Sequence, residues 1–408
     1  MNQELYQKYV EILKSELVPA LGCTEPIALA YAAAVARKEL GQFPEKVEVL
    51  CSGNIIKNVK GVKVPNSGGM KGVEAAVILG IVGGKADREL EVLQSISEED
   101  REKTRQLFKE GYCECKLKEG TANLYIEVRV WASGEEAAVR IEHAHTNITR
   151  IEHNQKVVYE NEEKFTAHEL DKSCLNIKDI TAFANEVKIA DVKDVLMRQI
   201  EYNYAISEEG LQNTWGAQIG KIIREEEGDQ LKWKMISRAA AGSDARMSGC
   251  SLPVIEYAKE KGKTEEELLR ALCVSNLIAQ DQKRYIGALS AYCGVVCAAA
   301  GAGAAITYLC GGDEEQIENT VINTIANIGG MVCDGAKPSC AAKISSALQS
   351  AILGHEMAMR GIRFEAGDGI VMENAEDTVK AVGYMGKNGM KQTDVEILNL
   401  MIGKTKLS

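Results

Sequence analysis

The sequence predicts an α+β protein, in which a small α/β domain carrying a mainly antiparallel sheet is inserted into an all-helical domain. Three observations lead there. Apolar and polar residues alternate with a period of two only between about residues 46 and 160, whereas the residues before this stretch and everything after Phe165 carry helical spacing. Aromatic residues are scarce at 5% while there are 37 glycines, which favours helices packed backbone to backbone over an aromatic-rich sandwich. At 408 residues the chain also exceeds what one compact core ordinarily organises. The expected division is 1–42, an N-terminal helix packing with the helical domain; 43–171, the small domain; and 172–408, the all-helical domain.

Residues 2–40 read as helical: a charged amphipathic stretch, then Leu21-Gly22-Cys23-Thr24-Glu25-Pro26, then a run of small apolar residues. Pro26 suits a first helical turn, where its missing N–H is not needed. From Lys46, KVEVLCS reads as a strand, and IIKNVKGVKVP as another, which would put Asn54, Lys57 and Asn58 on a strand or turn. A helix is expected over 71–84, after the turn Pro65-Asn66-Ser67-Gly68-Gly69. Ser97 caps a later one, whose opening Glu98, Glu99 and Asp100 suit the positive end of its dipole. Residues 113–162 read as a meander of alternating strands. After that, ITAFANEV, DVKDVLMRQIEYNYAI, LQNTWGAQIGKIIREEE and TEEELLRALCVSNLIAQDQ all carry the 3.6-residue period.

A net charge of -11 offers no basic footprint for nucleic acid or for an anionic membrane. The charged N-terminus does not read as a signal peptide, so the expected location is the cytoplasm. There, the twelve cysteines would stay reduced and are not read as a disulfide framework. Residues 285–312 carry no charge and would be long enough to span a bilayer. Their apolar content is mostly Ala and Gly, so they are read as a buried central helix with Cys293 and Cys297.

Three cysteines sit in company that suggests a metal centre: Cys293 in SAYCG, and Cys333 with Cys340 in GGMVCDGAKPSC. An unbroken helix would hold the last two about 10 Å apart, but Gly335 and Pro338 describe a tight loop that can turn both thiolates to one centre. Three thiolates on a four-iron cluster leave one iron open as a Lewis acid. Zinc is the competing metal, although structural zinc usually takes four ligands in two close pairs. Cys51, Cys174, Cys250, Cys273, Cys297 and Cys310 are read as small buried hydrophobes.

With these residues in view, the chain resembles the L-cysteine desulfidases, a family related to the iron-sulfur L-serine dehydratases. The resemblance runs through LGCTEPIALAYAAA, SGNIIKNVKGVKVPNSGGMKG, HTNI, AGSDARMSGC, SAYCG and MVCDGAKPSC, and covers nearly the whole chain. It implies that Cys293, Cys333 and Cys340 ligate a [4Fe-4S] cluster in the helical domain. It also implies a small amino acid as substrate, with pyruvate, ammonia and sulfide as products from L-cysteine. In one respect the chain departs from the family pattern: Leu252-Pro253-Val254 leads directly into Ile255-Glu256-Tyr257, where the pattern has a glycine-, serine- and asparagine-rich loop.

β-Elimination must take a proton from Cα. The first candidate base is Cys23, whose thiol would be activated by the helix beginning at about Pro26; Glu25 is the second. The substrate carboxylate needs donors, and Asn66, Ser67, Gly68 and Gly69 before the next helix are expected to provide backbone N–H groups. Asn54, Lys57 and Asn58 would add polar contacts, and His145, flanked by Thr146 and Asn147, would position substrate or shuttle a proton. Asp244 and Arg246 read as a structural ion pair, and Lys337 as a balance for cluster charge or a solvated tip. L-Cysteine desulfidase is the leading activity, L-serine dehydratase the alternative, and a non-catalytic iron-sulfur sensor the reading from another class. The family also allows a homodimer, which no sequence feature marks.

Overall fold

The structure is a computed structural model that describes residues 1–18, 24–161, 171–245, 251–287 and 290–405. In chain order, the first elements are α1 (Gln3–Glu16), α2 (Thr24–Leu40), β1 (Lys46–Cys51), α3 (Gly53–Val59), α4 (Val73–Gly83), α5 (Glu98–Lys109), β2 (Cys113–Leu117), β3 (Tyr125–Ala132), β4 (Glu135–Glu142), β5 (Ile148–His153) and β6 (Lys156–Glu160). Only helices follow among the described residues: α6 (Ile177–Glu186), α7 (Ile189–Gln212), α8 (Ile219–Glu227), α9 (Leu231–Ala245), α10 (Ser251–Glu260), α11 (Glu265–Ile286), α12 (Val295–Leu309), α13 (Glu314–Ile328), α14 (Ser339–Ala358), α15 (Ala375–Tyr384) and α16 (Lys391–Met401). The α+β class is as the periodicities indicate. No helix among the described residues is long and apolar enough to cross a membrane; the uncharged stretch yields the fifteen-residue buried α12.

The chain divides into two compact units. The first comprises Met1–Val18, His168–Cys333 and Pro338–Gln392; the second comprises Pro19–Ala167, Asp334–Lys337 and Thr393–Ser408. The first unit is helical. Its centre is α12, whose glycines let neighbours approach to backbone distance. A Cβ on Gly301 would lie 2.3 Å from the Ser275 carbonyl oxygen of α11, and one on Gly303 would lie 3.1 Å from the Ala351 carbonyl oxygen of α14. The same device joins α7 to α9, where a Cβ on Gly210 would meet the Ala241 carbonyl oxygen at 2.0 Å. Reciprocal capping boxes start α11 (Thr264 with Glu267) and α13 (Asp313 with Gln316).

The second unit carries a six-stranded sheet in the order β2-β1-β3-β4-β5-β6. Only β1 and β2 run parallel; the other neighbours are antiparallel. The near-continuous apolar run of α2 is buried on almost every side, because it packs on α4 and on strands β3 and β4. A Cβ on Gly80 of α4 would be 2.3 Å from the Ala30 carbonyl oxygen. The N-terminal region therefore parts: α1 lies in the helical unit, while α2 lies with the sheet. A helix without a polar stripe needs cover all round, and the sheet face supplies it.

Two local readings differ from the structure. Residues 53–59 form a helix, not a strand, because Ser52 caps it by accepting from the Ile55 N–H and because Ile55, Ile56 and Val59 share the buried face. Not all the cysteines read as buried hydrophobes are buried: Cys310 is exposed and Cys174 half-buried, Cys310 standing where α12 ends. Cys250 lies outside the described residues. Ser97 caps α5 as expected, in a capping box with Asp100.

One buried acid in α11 carries a stability prediction. Asp281 is 0% exposed, and its Oδ2 has no hydrogen-bond partner among the described residues, although Oδ1 accepts from Arg284 at 2.8 Å. Burial, then the charge of Glu376, pushes its pKa up to about 7, against the pull of Arg284. A raised carboxyl pKa stabilises the folded state at low pH, and this contribution disappears as pH rises through 7. At ~1.4 kcal/mol per pH unit, the loss between pH 5 and pH 8 is about 2–3 kcal/mol. Urea unfolding of Asp281→Asn beside the native chain checks this: the variant should gain relative stability by about that amount over the same pH span, and parallel pH profiles would contradict it.

Candidate functional site

Unit 1 holds Cys293, Cys333 and Cys340, all half-buried. The segments around Cys293 and Cys333 meet in a short antiparallel bridge pairing Tyr292 with Val332. In it the Cys293 N–H donates to the Met331 carbonyl at 3.0 Å, and the Cys333 N–H donates to the Ala291 carbonyl at 2.6 Å. The bridge exists because helix α13 ends at Gly329, and Gly386 lets Tyr292 pack flat: a Cβ there would lie 2.9 Å from the Tyr292 ring. The two thiols are hydrogen-bonded to each other. This bond, and then burial, hold the Cys293 pKa above its ordinary value, while the charge of Lys343 lowers it. Lys343 is fixed by donating from Nζ to the Val332 carbonyl at 2.6 Å. Cys340 sits in the first turn of α14, just after Pro338.

Among the described residues, no three His, Cys, Asp or Glu side chains stand together as ligands of a single metal ion. An iron-sulfur cubane places each thiolate on a different iron, which is a different requirement. The donors fit such a group in kind. They are three soft thiols in one unit, two of them presented by paired backbone, with a lysine nearby to offset negative charge.

The loop between Cys333 and Cys340 passes through unit 2 from Asp334 to Lys337. Gly335 has φ 92°, and a Cβ there would stand 2.3 Å from the Lys57 carbonyl oxygen of α3. Glycine is thus required both by conformation and by space. Lys337 forms an ion pair with Asp334, so it is no free solvated tip.

Unit 2 gathers a second group around the start of α2. Glu25 lies in its first turn, and its Oε1 accepts from Asn58 Nδ2 at 3.3 Å. His145, in the turn between β4 and β5, has Nε2 3.1 Å from Thr24 Oγ1. Burial lowers the His145 pKa, and the Glu25 charge acts in the opposite direction. Glu25, Asn58 and His145 are thereby brought into one neighbourhood, with Thr24 added. Thr24 was missed in the sequence, although it stands beside Glu25 in the same motif. Cys23 lies outside the described residues.

The remaining candidates are otherwise engaged. Lys57 is 2% exposed and ion-paired with Asp394 of α16, a partner that no sequence spacing announces. Asn54 Nδ2 lies 3.5 Å from Asn123 Oδ1. The turn at 65–69 is a closed structure separate from the helix start. Asn66, at φ 57°, donates from Nδ2 to the Leu93 carbonyl at 2.9 Å, and its own carbonyl accepts from Arg101. Ser67 is buried and donates to the Met70 carbonyl. Gly68 is backed by Arg105 of α5, Gly69 opens to space, and α4 begins only at Val73. Thr146 contributes its carbonyl to the turn, and Asn147 Nδ2 donates to the Glu142 carbonyl. Among the described residues, the Asp244 carboxylate accepts from the Ala217 and Gly220 N–H groups at the start of α8, which suits a carboxylate at a helix N-terminus. Arg246 lies outside the described residues.

Comparison with known proteins fits this picture. The serine dehydratase alpha chain family matches residues 87–399. The chain is 48% identical to a UPF0597 protein of Lachnoclostridium phytofermentans, over 98% of this chain and 100% of that one. It is 46% identical to a UPF0597 protein of Finegoldia magna, over 98% and 100%, and 44% identical to one of Treponema denticola, over 98% and 99%. The first alignment runs over 416 positions against the 408 residues of this chain, so that relative has residues that this chain lacks. The chain belongs to the serine dehydratase alpha chain family.

Proposed function

We propose that the protein is an iron-sulfur lyase that eliminates the β-substituent of a small amino acid, with L-cysteine as substrate and pyruvate, ammonia and sulfide as products. The observation that carries the proposal is the bridge between Tyr292 and Val332, which brings the Cys293 and Cys333 segments side by side, with Cys340 opening α14 in the same unit, inside a chain of the serine dehydratase alpha chain family. The family match itself favours a second substrate: L-serine, which would give pyruvate and ammonia by the same elimination.

When bound, a [4Fe-4S] cluster held by three thiolates supplies a Lewis-acidic iron for the leaving atom, and iron of this kind accepts sulfur as well as oxygen. The rest falls to the chain. The Cα proton needs a base, and Glu25 is the carboxylate that Asn58 orients; Cys23, two residues before it in the sequence, is the alternative. His145 is held neutral by burial at neutral pH, so its ring can exchange a proton or hold a substrate oxygen without adding charge. Thr24 fixes the orientation of that ring.

Anaerobically reconstituted protein assayed for pyruvate, with sulfide measured alongside, tests the proposal. Turnover of L-cysteine supports the desulfidase, turnover of L-serine alone supports the dehydratase, and turnover of neither supports a non-catalytic iron-sulfur protein. Glu25→Gln should lower kcat by about 10²–10⁴ while leaving iron content unchanged. Should Cys23→Ser show that loss and Glu25→Gln show none, the base is the thiol.

A further inference from the structure

A second cluster of reactive groups lies in the helical unit and takes no part in the proposed elimination. Cys310, at the end of α12, is exposed. Its Sγ lies 3.7 Å from His355 Nε2 and 2.8 Å from the Tyr257 hydroxyl. His355 is 7% exposed, and its Nδ1 lies 2.9 Å from Thr307 Oγ1. That hydroxyl has the Gly303 carbonyl to donate to, at 3.1 Å, and so is left as an acceptor. Thr307 Oγ1 also lies 2.8 Å from Thr320 Oγ1; with the Thr307 proton on the Gly303 carbonyl, the ring proton sits on Nδ1 and Nε2 keeps its lone pair toward the thiol. Burial lowers the His355 pKa, which keeps the ring a proton acceptor at neutral pH. Thiol, base and orienting hydroxyl thus stand in the order used by nucleophilic cysteines. The negative end of the α12 dipole disfavours a standing thiolate at this position. Deprotonation would then accompany attack instead of preceding it.

Cys310 also lines a cavity of about 690 Å³. The wall carries both signs of charge: Lys178, Lys263 and Arg270 on one hand, Asp179, Glu267, Asp313 and Glu314 on the other, with Lys263 paired to Glu267 at 3.0 Å. Arg270 is held rigidly by Glu266 and by the Ala184 and Asn185 carbonyls. Such a wall suits neither a simple anion nor an apolar molecule. It suits a small zwitterion, whose carboxylate and ammonium each find a partner.

We infer that Cys310 is the nucleophile of a separate site for thiol-disulfide exchange with a small zwitterionic disulfide, of which L-cystine is the simplest probe. In the exchange the Cys310 proton passes to His355 Nε2. Cys310 Sγ forms a bond to one sulfur of the ligand, the disulfide bond of the ligand breaks, and the other half leaves with the electron pair as a thiolate that takes up the proton. The products are a mixed disulfide on Cys310 and one free amino-thiol, with no further oxidant or reductant. The Tyr257 hydroxyl, which already touches Sγ, would donate to the sulfur as charge develops there.

The test is peptide mass spectrometry of the anaerobically purified full chain after brief exposure to L-cystine, with bis(2-hydroxyethyl) disulfide as a neutral probe of similar reactivity. A cysteinyl adduct confined to Cys310 and reversed by dithiothreitol is expected. It should form at least about tenfold faster than the neutral adduct, and about tenfold more slowly in His355→Gln, as for loss of a general base. Lys178→Ala, on the cavity wall, should slow the cystine reaction and leave the neutral one unchanged. If His355→Gln does not fold, Tyr257→Phe replaces it, with the same direction expected. Adducts spread evenly over several cysteines, no adduct at Cys310, or equal rates with both disulfides would overturn the inference. Iron content and pyruvate formation by Cys310→Ser should match the native chain, so failure here leaves the lyase proposal standing and separately testable.

Discussion

Cys333→Ser is expected to lose bound iron and to lower pyruvate formation by about 10²-fold or more, since metal-assisted chemistry fails when the metal is no longer held. The size of the effect follows from position. Cys333 is the residue whose N–H closes the bridge to Ala291 and whose thiol bonds that of Cys293. Serine keeps the backbone bridge and nearly the same volume, but replaces a soft donor with a hard, weakly acidic hydroxyl. The fold should therefore survive, and far-UV circular dichroism and the unfolding midpoint should change little. Cys310→Ser serves as the matched control, because the same chemical change outside the trio should leave iron in place. Equal iron retention by both variants would contradict the ligand assignment.

The largest expected effect on folding is at Gly301. With the Ser275 carbonyl oxygen only 2.3 Å from an added Cβ, alanine would force α12 and α11 apart along a fully buried face. Overpacking of this kind costs about 1–3 kcal/mol and sometimes more, against which the better helix propensity of alanine returns only about 1 kcal/mol. Valine, larger and β-branched, should cost still more, on the order of 4 kcal/mol. Gly330→Ala is the contrast, since a Cβ there meets nothing within 4 Å and stability should stay within about 0.5 kcal/mol. Denaturant midpoints of the three variants beside the native chain check the order. A Gly301→Val protein as stable as the native chain would show that the contact between α11 and α12 is looser than described.

Gly301 also shows how far the sequence could be read. Abundant glycine and alanine with few aromatics pointed to close helix packing, and α12 bears it out, because small side chains have one physical use in a buried helix. Ser97 with its three following acids announced α5, because the cap and the dipole leave residue-level marks. IIKNV misled for the converse reason: five residues of mixed β-branched and polar type fit either period, and the cap at Ser52 decided between them. At the candidate site, local motifs were legible and long-range partners were not. Glu25 and His145 were singled out from their motifs, but Asp394 as the partner of Lys57 is separated from it by most of the chain. Composition alone favours a glycine-rich surface turn at 65–69, and it was the family resemblance that made this turn a source of backbone donors for a carboxylate. Its side chains and carbonyls proved to be committed to Leu93, Met70 and Arg101, which only the tertiary packing decides. Cys310 illustrates the same limit: a cysteine at the end of an apolar helix reads as core until His355 and Tyr257 are placed beside it.

Cluster ligation by the three thiolates is tested by the iron and acid-labile sulfide content of the native chain purified without oxygen, measured beside Cys293→Ser, Cys333→Ser and Cys340→Ser. About four irons and four sulfides per native chain are expected, with a marked loss in each variant and pyruvate formation that falls in step with iron. A native chain that contains neither iron nor labile sulfide yet turns over substrate would contradict this ligation.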